Sequence, residues 1–439
     1  MSLKSLKIKG GIPLKGEICI QGSKNGVLPI LAASLLGEGP VVLENCPVIG
    51  DVKDTLQIMK KLGCTVWREG DVVSVDASSV REFVIEKEEA VRIRSSVLFL
   101  GALLGKIKKA VLPQPGGCAI GMRPIDLHLE SLRQLGAVIE EENGGSWKEN
   151  PNQDQRETQV SAQTGMLTAD GTHMHGAHIR LRFPSVGATE NIILAAVMLP
   201  GETIVEQAAR EPEIDQLCEF LNLRGAKIKR EKDLIRIKGG TVPGPVRYRM
   251  KADRIVTGTY LLAAAASRGT VMIRNFPQEL DALLYLLEKM GGDIYQEEQK
   301  LLFSMPHRAH APAFVETAPY PGFPTDLQSL YLAAAMTLEG KSCICENVFE
   351  DRLRTAEELQ KMGGTLQICG KWLTAEKSRL HGAEVVSQDL RGGAALVSAA
   401  LAAEGFSTIR QTELIERGYE RFPETLRELG AKIIVEKEI

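Results

Sequence analysis

Long apolar runs are missing from this sequence: none reaches the ~18 residues that a membrane-spanning helix needs, which excludes an α-helical integral membrane protein. The opening stretch, MSLKSLKIKGGIP, alternates lysine with apolar residues and has no hydrophobic centre of the kind a secretory leader carries, so a cytoplasmic location is expected. An excess of one charge is missing too. Lys and Arg number 53 against 56 Asp and Glu, a formal net charge of −3, so no whole-molecule field favours nucleic acid or anionic membrane and any anion site must be local. Cysteine is sparse. Eight residues, at 19, 46, 64, 118, 218, 343, 345 and 369, lie mostly among apolar neighbours and read as reduced core thiols. Cys343 and Cys345 share one face if their segment is a strand, but no His or further Cys lies at ligand spacing, so they read as structural. His173, His175 and His178 form the only histidine cluster; a loop entering a strand accounts for them as surface residues better than as metal ligands.

What the sequence does contain is repetition. The 439 residues suit two domains of ordinary size with a cleft between them. A helix ending at a glycine turn and followed by a charged-edge strand recurs as MKKLGCTVWRE, LRQLGAVIEEE, LNLRGAKIKRE, LEKMGGDIYQE, LQKMGGTLQIC and LRELGAKIIVE, marked by Gly63, Gly136, Gly225, Gly291, Gly363 and Gly430. Between them a more apolar helix recurs six times, from LPILAASLLGEG to AALVSAALAAEG. Helices apolar nearly all round belong in a core, and glycine at their ends is a C-terminal stop.

The marker spacings are 73, 89, 66, 72 and 67, so an insertion of about 20 residues falls in the second interval. It coincides with polar residues 140–173, expected to be a long surface hairpin or loop rather than a partner-binding lobe. Pro, Gly and charge interrupt the pattern near 244–255 and divide the copies into two sets of three. The expected lobes are residues 23–251, and 1–22 with 252–439, the opening strand being able to pair with either half.

The starts of the buried helices carry Ser, Thr, Asp and Asn, which cap free N–H groups. Capping does not explain Lys24, Arg94, Arg254 or Arg391 there, because cations oppose the positive end of the helix dipole. A bound polyanion would explain them. Asp326, in FPTDLQ, reads either as a cap or as a base beside an anion site, able to take a proton from a hydroxyl. Cys118 sits in the glycine loop QPGGC, a mobile lid in principle. As a neutral thiol it suits a proton donor, while nearby Arg123 favours the thiolate nucleophile, and both roles stay open.

Taken together, GSKN, PGGCAIGMRPIDLHL, PSVGATEN, AAREPEI, FPTDLQ, VFEDR, DLR and RGYER resemble the enolpyruvyl transferases over nearly the whole chain, residues 140–173 excepted. The resemblance implies an α/β fold: a two-domain inside-out α/β barrel of six repeated units, three per domain, closing on substrate. It implies transfer of the enolpyruvyl group of phosphoenolpyruvate to the 3′-hydroxyl of UDP-N-acetylglucosamine, with release of phosphate and no metal or organic cofactor. On the matching positions Lys24, Arg123, Arg391 and Arg417 hold phosphoenolpyruvate. Cys118 is the general acid toward the methylene carbon, open to a covalent adduct, and Asp326 deprotonates the sugar hydroxyl. Asn25, Arg94, the run Arg123, Pro124, Ile125, Asp126 and Leu127, then Ser185, Val186, Gly187 and Val348 contact UDP-N-acetylglucosamine, with Arg352 in the same cleft. Phe183 and Pro184 depart from the pattern where some members have a lysine, a contact that Arg180 or Arg182 could supply. Two other readings are a sibling enzyme acting on shikimate 3-phosphate, against which the cysteine loop argues, and a non-catalytic UDP-sugar-binding paralogue.

Overall fold

The computed structural model describes residues 4–114, 120–121, 123–141 and 165–437. Cys118 and residues 142–164 of the expected insertion lie outside the described residues. The fold is mixed α/β. Among the described residues it has six separate sheets, five of four strands and one of three, none closed into a barrel.

The helices sit where their composition sends them. The apolar set, Lys24–Ala33, Leu98–Ile107, Val186–Ala196, Arg254–Ala266, Gln328–Ala335 and Leu390–Ala402, is buried on nearly every face. The amphipathic set, Gly50–Lys61, Asp126–Gln134, Pro212–Leu223, Asp281–Lys289, Thr355–Lys361 and Phe422–Glu428, buries one face each. All six marker glycines have φ between 87° and 100°, the left-handed turn that ends an amphipathic helix and turns the chain into the next strand.

Buried residues form two cores. One gathers side chains from Val27 to Met250, the other Leu6 to Ile20 with Ala252 to Ile433. The opening strand Lys4–Lys9 lies between Phe406–Arg410 and Lys432–Lys437, antiparallel to both, and Lys15–Cys19 runs parallel to Thr270–Arg274. Strand Val246–Arg249 runs parallel to Val41–Glu44. The chain thus crosses between the cores twice, at 20–24 and 250–254, where Ser23 N donates to Lys251 O at 2.8 Å and Asp253 N to Gln21 O at 3.0 Å.

Two expectations need correction. Met166–Asp170, inside the presumed insertion, pairs antiparallel with Val138–Glu141 as a hairpin would, but it is not superficial: it also pairs antiparallel with Lys109–Pro113, and alternate residues Leu167 and Ala169 reach the core. The cysteines do not all lie in the core: Cys46, Cys64, Cys218 and Cys345 are buried, whereas Cys19 and Cys369 are exposed, and every described cysteine is free. His178 accepts the surface role expected of it, facing Glu206 at 2.9 Å. No described helix is long and apolar enough to cross a membrane.

Candidate functional site

Capping accounts for four helix starts. Ser23 Oγ accepts from Gly26 N at 3.1 Å and Ser185 Oγ from Ala188 N at 3.4 Å. Asp253 accepts from Ile255 N and Val256 N at 2.8 and 3.0 Å, and Asp389 from Arg391 N and Gly392 N at 2.9 and 3.0 Å. The other two helices open with 3₁₀ turns, Arg94–Val97 and Thr325–Leu327, that have no side-chain cap. Asp326 is therefore not a cap, and its carboxylate faces Arg352 and Arg391.

The cations at these starts all have protein partners. Lys24 Nζ lies 3.1 Å from Asp51, Arg254 Nε donates to Glu213 at 2.9 Å, Arg391 Nη2 to Asp326 at 3.3 Å, and Arg94 to the carbonyl of Arg123. Buried carboxylates thus offset Lys24 and Arg254, a part-exposed one faces Arg391, and a backbone carbonyl accepts from Arg94.

Two carboxylates organise the arrangement. Asp51, 4% exposed at its side chain, accepts from Arg417 Nε at 2.8 Å and from Nη2 at 3.4 Å, besides facing Lys24. Burial pushes its pKa up, but Lys24 and Arg417 outweigh it and hold the carboxyl below its ordinary value. Asp326 accepts from Arg352 Nη2 at 2.9 Å as well as from Arg391. Here too burial opposes ionisation, and Arg391, Arg352, Lys24 and Arg254 together drive the pKa far down. Arg391 is 4% exposed, lies 5.2 Å from the Tyr419 ring centroid, and has its pKa raised: burial works against the charge, and Tyr419 and Asp326 exceed it. Arg352 Nε and Arg391 Nη1 are buried donors without a protein acceptor, so this cluster retains donor capacity for an anion.

A third group lies on the first core. Arg123, Pro124, Ile125 and Asp126 line a cavity of about 350 Å³ together with Glu130 and Arg133. Next to this run stands His128, its pKa pushed down to about 3 by burial and by Arg94 and Arg123. The neutral ring accepts from Asn191 Nδ2 at 2.7 Å, and a Cβ on Gly187 would stand 2.8 Å from its Cε1, so only glycine fits there. Arg182 is committed to Asp126 at 2.8 Å and Glu130 at 2.9 Å, while Arg180 faces Glu206 at 3.9 Å; neither reaches out as a substitute lysine in this arrangement. A larger hollow of about 600 Å³ near Trp67 and Arg247 lies on a sheet's outer face, away from all these residues.

The structure therefore brings Lys24, Arg417, Asp326, Arg352 and Arg391 to one place, with Arg94, Arg123 and the Ser185–Gly187 turn beside the His128 pocket. Asn25 and Ser185 are half-buried, and Val348 N donates to Glu346 at 2.8 Å. Asp51, His128, Glu346 and Phe349 were missed in the sequence. Asp51 and His128 sit in ordinary helix first turns, and only their tertiary neighbours set them apart.

Glu190 offers a test of burial beside this turn. It is 5% exposed, and burial first, then Glu213 and Glu211, raise its pKa well above the usual value. The folded protein keeps a proton that the unfolded chain releases above about pH 4.3, so this group costs stability increasingly as pH rises from there. Glu190→Gln should match the parent's unfolding midpoint near pH 4 and exceed it at pH 8, by on the order of 2–4 °C. Equal midpoints at both pH values in calorimetry would overturn this.

The family model described as EPSP synthase (3-phosphoshikimate 1-carboxyvinyltransferase) matches residues 8–426. A protein of Caldanaerobacter subterraneus subsp. tengcongensis, named UDP-N-acetylglucosamine 1-carboxyvinyltransferase 2, is 39% identical over 431 residues, 98% of each chain. The UDP-N-acetylglucosamine 1-carboxyvinyltransferase of Serratia proteamaculans is 40% identical over 434 residues, covering 98% of this chain and 99% of that one. Among solved structures, the enolpyruvyl transferase NikO from Streptomyces tendae superposes with a TM-score of 0.86 at 22% identity, over 100% of both chains. EPSP synthase from Acinetobacter baumannii does so at 0.74 and 18%, over 99% of this chain and 100% of that one.

Proposed function

Because the chain belongs to the EPSP synthase family of enolpyruvyl transferases, we infer that it transfers the enolpyruvyl group of phosphoenolpyruvate to the 3′-hydroxyl of UDP-N-acetylglucosamine, releasing phosphate, the first committed step of peptidoglycan synthesis. The observation that carries this reading is Asp326 held between Arg352 and Arg391, with Lys24 and Arg417 gathered nearby on Asp51. Phosphoenolpyruvate brings about three negative charges, and two cation groups suit its phosphate and its carboxylate.

In this reading Lys24, Arg123 and Arg417 hold the phosphate, and Arg391 the carboxylate. Cys118 gives a proton to the methylene carbon, making it a methyl group, while the 3′-oxygen bonds to the adjacent carbon and Asp326 takes the hydroxyl proton. The Cys118 thiolate then takes a proton back from the methyl carbon as phosphate departs, which restores the double bond and the thiol. Asp326 is a weak base while two guanidiniums hold its charge. When the substrate carboxylate takes Arg391, one of those cations is withdrawn and the basicity of Asp326 rises. Asn25, Arg94, the 123–127 run, Ser185–Gly187 and Val348 bind the nucleotide sugar around the 350 Å³ cavity. The reading needs no metal or organic cofactor.

The finer architecture is part of the same proposal. Residues 23–251 form one lobe and 1–22 with 252–439 the other, each an inside-out arrangement of three units with helices within and sheets around them. The two core clusters and the paired crossings at 20–24 and 250–254 support it. The protein acts in the cytoplasm.

Phosphate release from phosphoenolpyruvate with UDP-N-acetylglucosamine, against shikimate 3-phosphate, tests the reaction. Turnover only with the first is expected; turnover with neither would favour a UDP-sugar-binding protein. Cys118→Ser should lower turnover by about 10²–10⁴ through loss of the more acidic proton donor, with UDP-N-acetylglucosamine affinity kept. Fosfomycin-type epoxides should alkylate Cys118 and leave the exposed Cys19 and Cys369 unlabelled. Mass-spectrometric labelling at either of those instead would remove the assignment.

A further inference from the structure

Phe349 is half-buried and has no assigned role, yet two cleft cations share its ring. The guanidinium carbon of Arg123 lies 5.1 Å from the ring centroid and that of Arg352 lies 5.2 Å from it. Arg123 belongs to the segment that leaves the Cys118 loop, and Arg352 is the arginine that holds Asp326. The segment carrying Phe349 is anchored to both sides. Glu346, 4% exposed, accepts from Phe349 N at 3.1 Å and Val348 N at 2.8 Å, and from the hydroxyls of Thr317 at 2.9 Å and Thr325 at 3.0 Å. Thr325 immediately precedes Asp326. On the other side Asp351 N donates to Ile120 O at 3.3 Å.

We propose that Phe349 is a positioning residue that sets Arg123 and Arg352 in register with each other, so that the phosphate-side cation and the arginine supporting the base come into place together. The physical reason is the ring's negative face, which holds two like charges close by attraction to a shared neutral group. Arg352 depends on it for orientation: it is 3% exposed at its side chain, its Nε has no protein acceptor, and its other anchor is Asp326. Glu346 fixes the backbone from which the ring projects. The inference rests on the enolpyruvyl-transfer reading for its kinetic part, and on geometry alone for the contact.

The test is a double-mutant cycle on the full chain with Phe349→Leu and Arg123→Lys, run once on thermal unfolding and once on steady-state turnover. Phe349→Leu keeps apolar bulk and removes the π face; it should lower kcat/KM for phosphoenolpyruvate about tenfold or more, and Phe349→Tyr should restore it to within about threefold of the parent. In the double variant the loss should be smaller than the product of the two single losses, with the part of the Phe349 effect that runs through Arg352 still present. If Phe349→Leu folds poorly, Phe349→Met serves in its place. Coupling in unfolding without coupling in turnover would make the contact merely structural and overturn the proposal, as would a Tyr variant as impaired as Leu. Failure of the reaction itself would be seen in the parent protein, and the unfolding cycle would still decide whether the ring couples the cations.

Discussion

Asp326→Asn should bind UDP-N-acetylglucosamine as the parent does and turn over about 10²–10⁴ times more slowly, the range that a positioned general base contributes. Asn keeps the shape but only one acceptor oxygen, so one of Arg352 and Arg391, which bind different carboxylate oxygens, keeps its acceptor while the other loses it, and the amide cannot take the proton. The pH profile carries a second expectation. In the free protein burial is overcome by Arg391 and Arg352, and the carboxyl of Asp326 is held well below the ordinary aspartate value. The acidic limb of kcat/KM, which reports the free enzyme, should therefore not show an ordinary aspartate near pH 4. Once phosphoenolpyruvate engages Arg391, the limb in kcat should lie at higher pH than the limb in kcat/KM. Unchanged turnover of the variant would reject Asp326 as the base; coincident limbs would reject the transfer of Arg391 from Asp326 to substrate.

Asp51→Asn should raise the KM for phosphoenolpyruvate by about 10–100-fold and weaken product inhibition by inorganic phosphate, with UDP-N-acetylglucosamine affinity within about twofold of the parent. Removing the carboxylate leaves Lys24 and Arg417 as neighbouring cations with no shared anion, and both then move apart. The extra positive charge does favour an anion in general, but phosphate needs donors at fixed positions, so loss of geometry outweighs gain of field. Stability should fall as well, by about 2 kcal/mol, less than the ~3–5 of a fully buried pair because Arg417 is more than a third exposed and solvent screens it. The depressed pKa gives the sign with pH: this contribution is present above about 3.9 and lost as pH falls, so variant and parent should converge in strong acid. Unaltered KM together with unaltered phosphate inhibition would show that Asp51 does not order the cation pair.

These two aspartates also show where a linear reading stops. Asp326 was legible because it breaks a pattern: an acidic residue at the start of a helix whose counterparts carry Lys or Arg. Asp51 obeys the ordinary pattern of an acid in a helix first turn, which the dipole favours, so nothing local distinguishes it. Its importance comes from Arg417, 366 residues away along the chain. The cations were read as unusual for helix starts, and the tertiary structure adds partners that the sequence did not show: Glu213 beside Arg254 and Asp51 beside Lys24. In the 140–173 stretch the pairing fits the expected hairpin, but one arm is not superficial. Its polar bias hid the five residues Met166–Asp170, in which only Leu167 and Ala169 face the core.

The order of helices and strands was determined by the sequence alone, because apolar period and glycine placement are local properties that each segment carries with it. The α/β class and the two kinds of helix follow from the same cause. Which charges meet was decided only by the tertiary structure. An ion pair or a shared ring depends on distances between chain segments hundreds of residues apart, and burial then sets how strongly each group holds its proton.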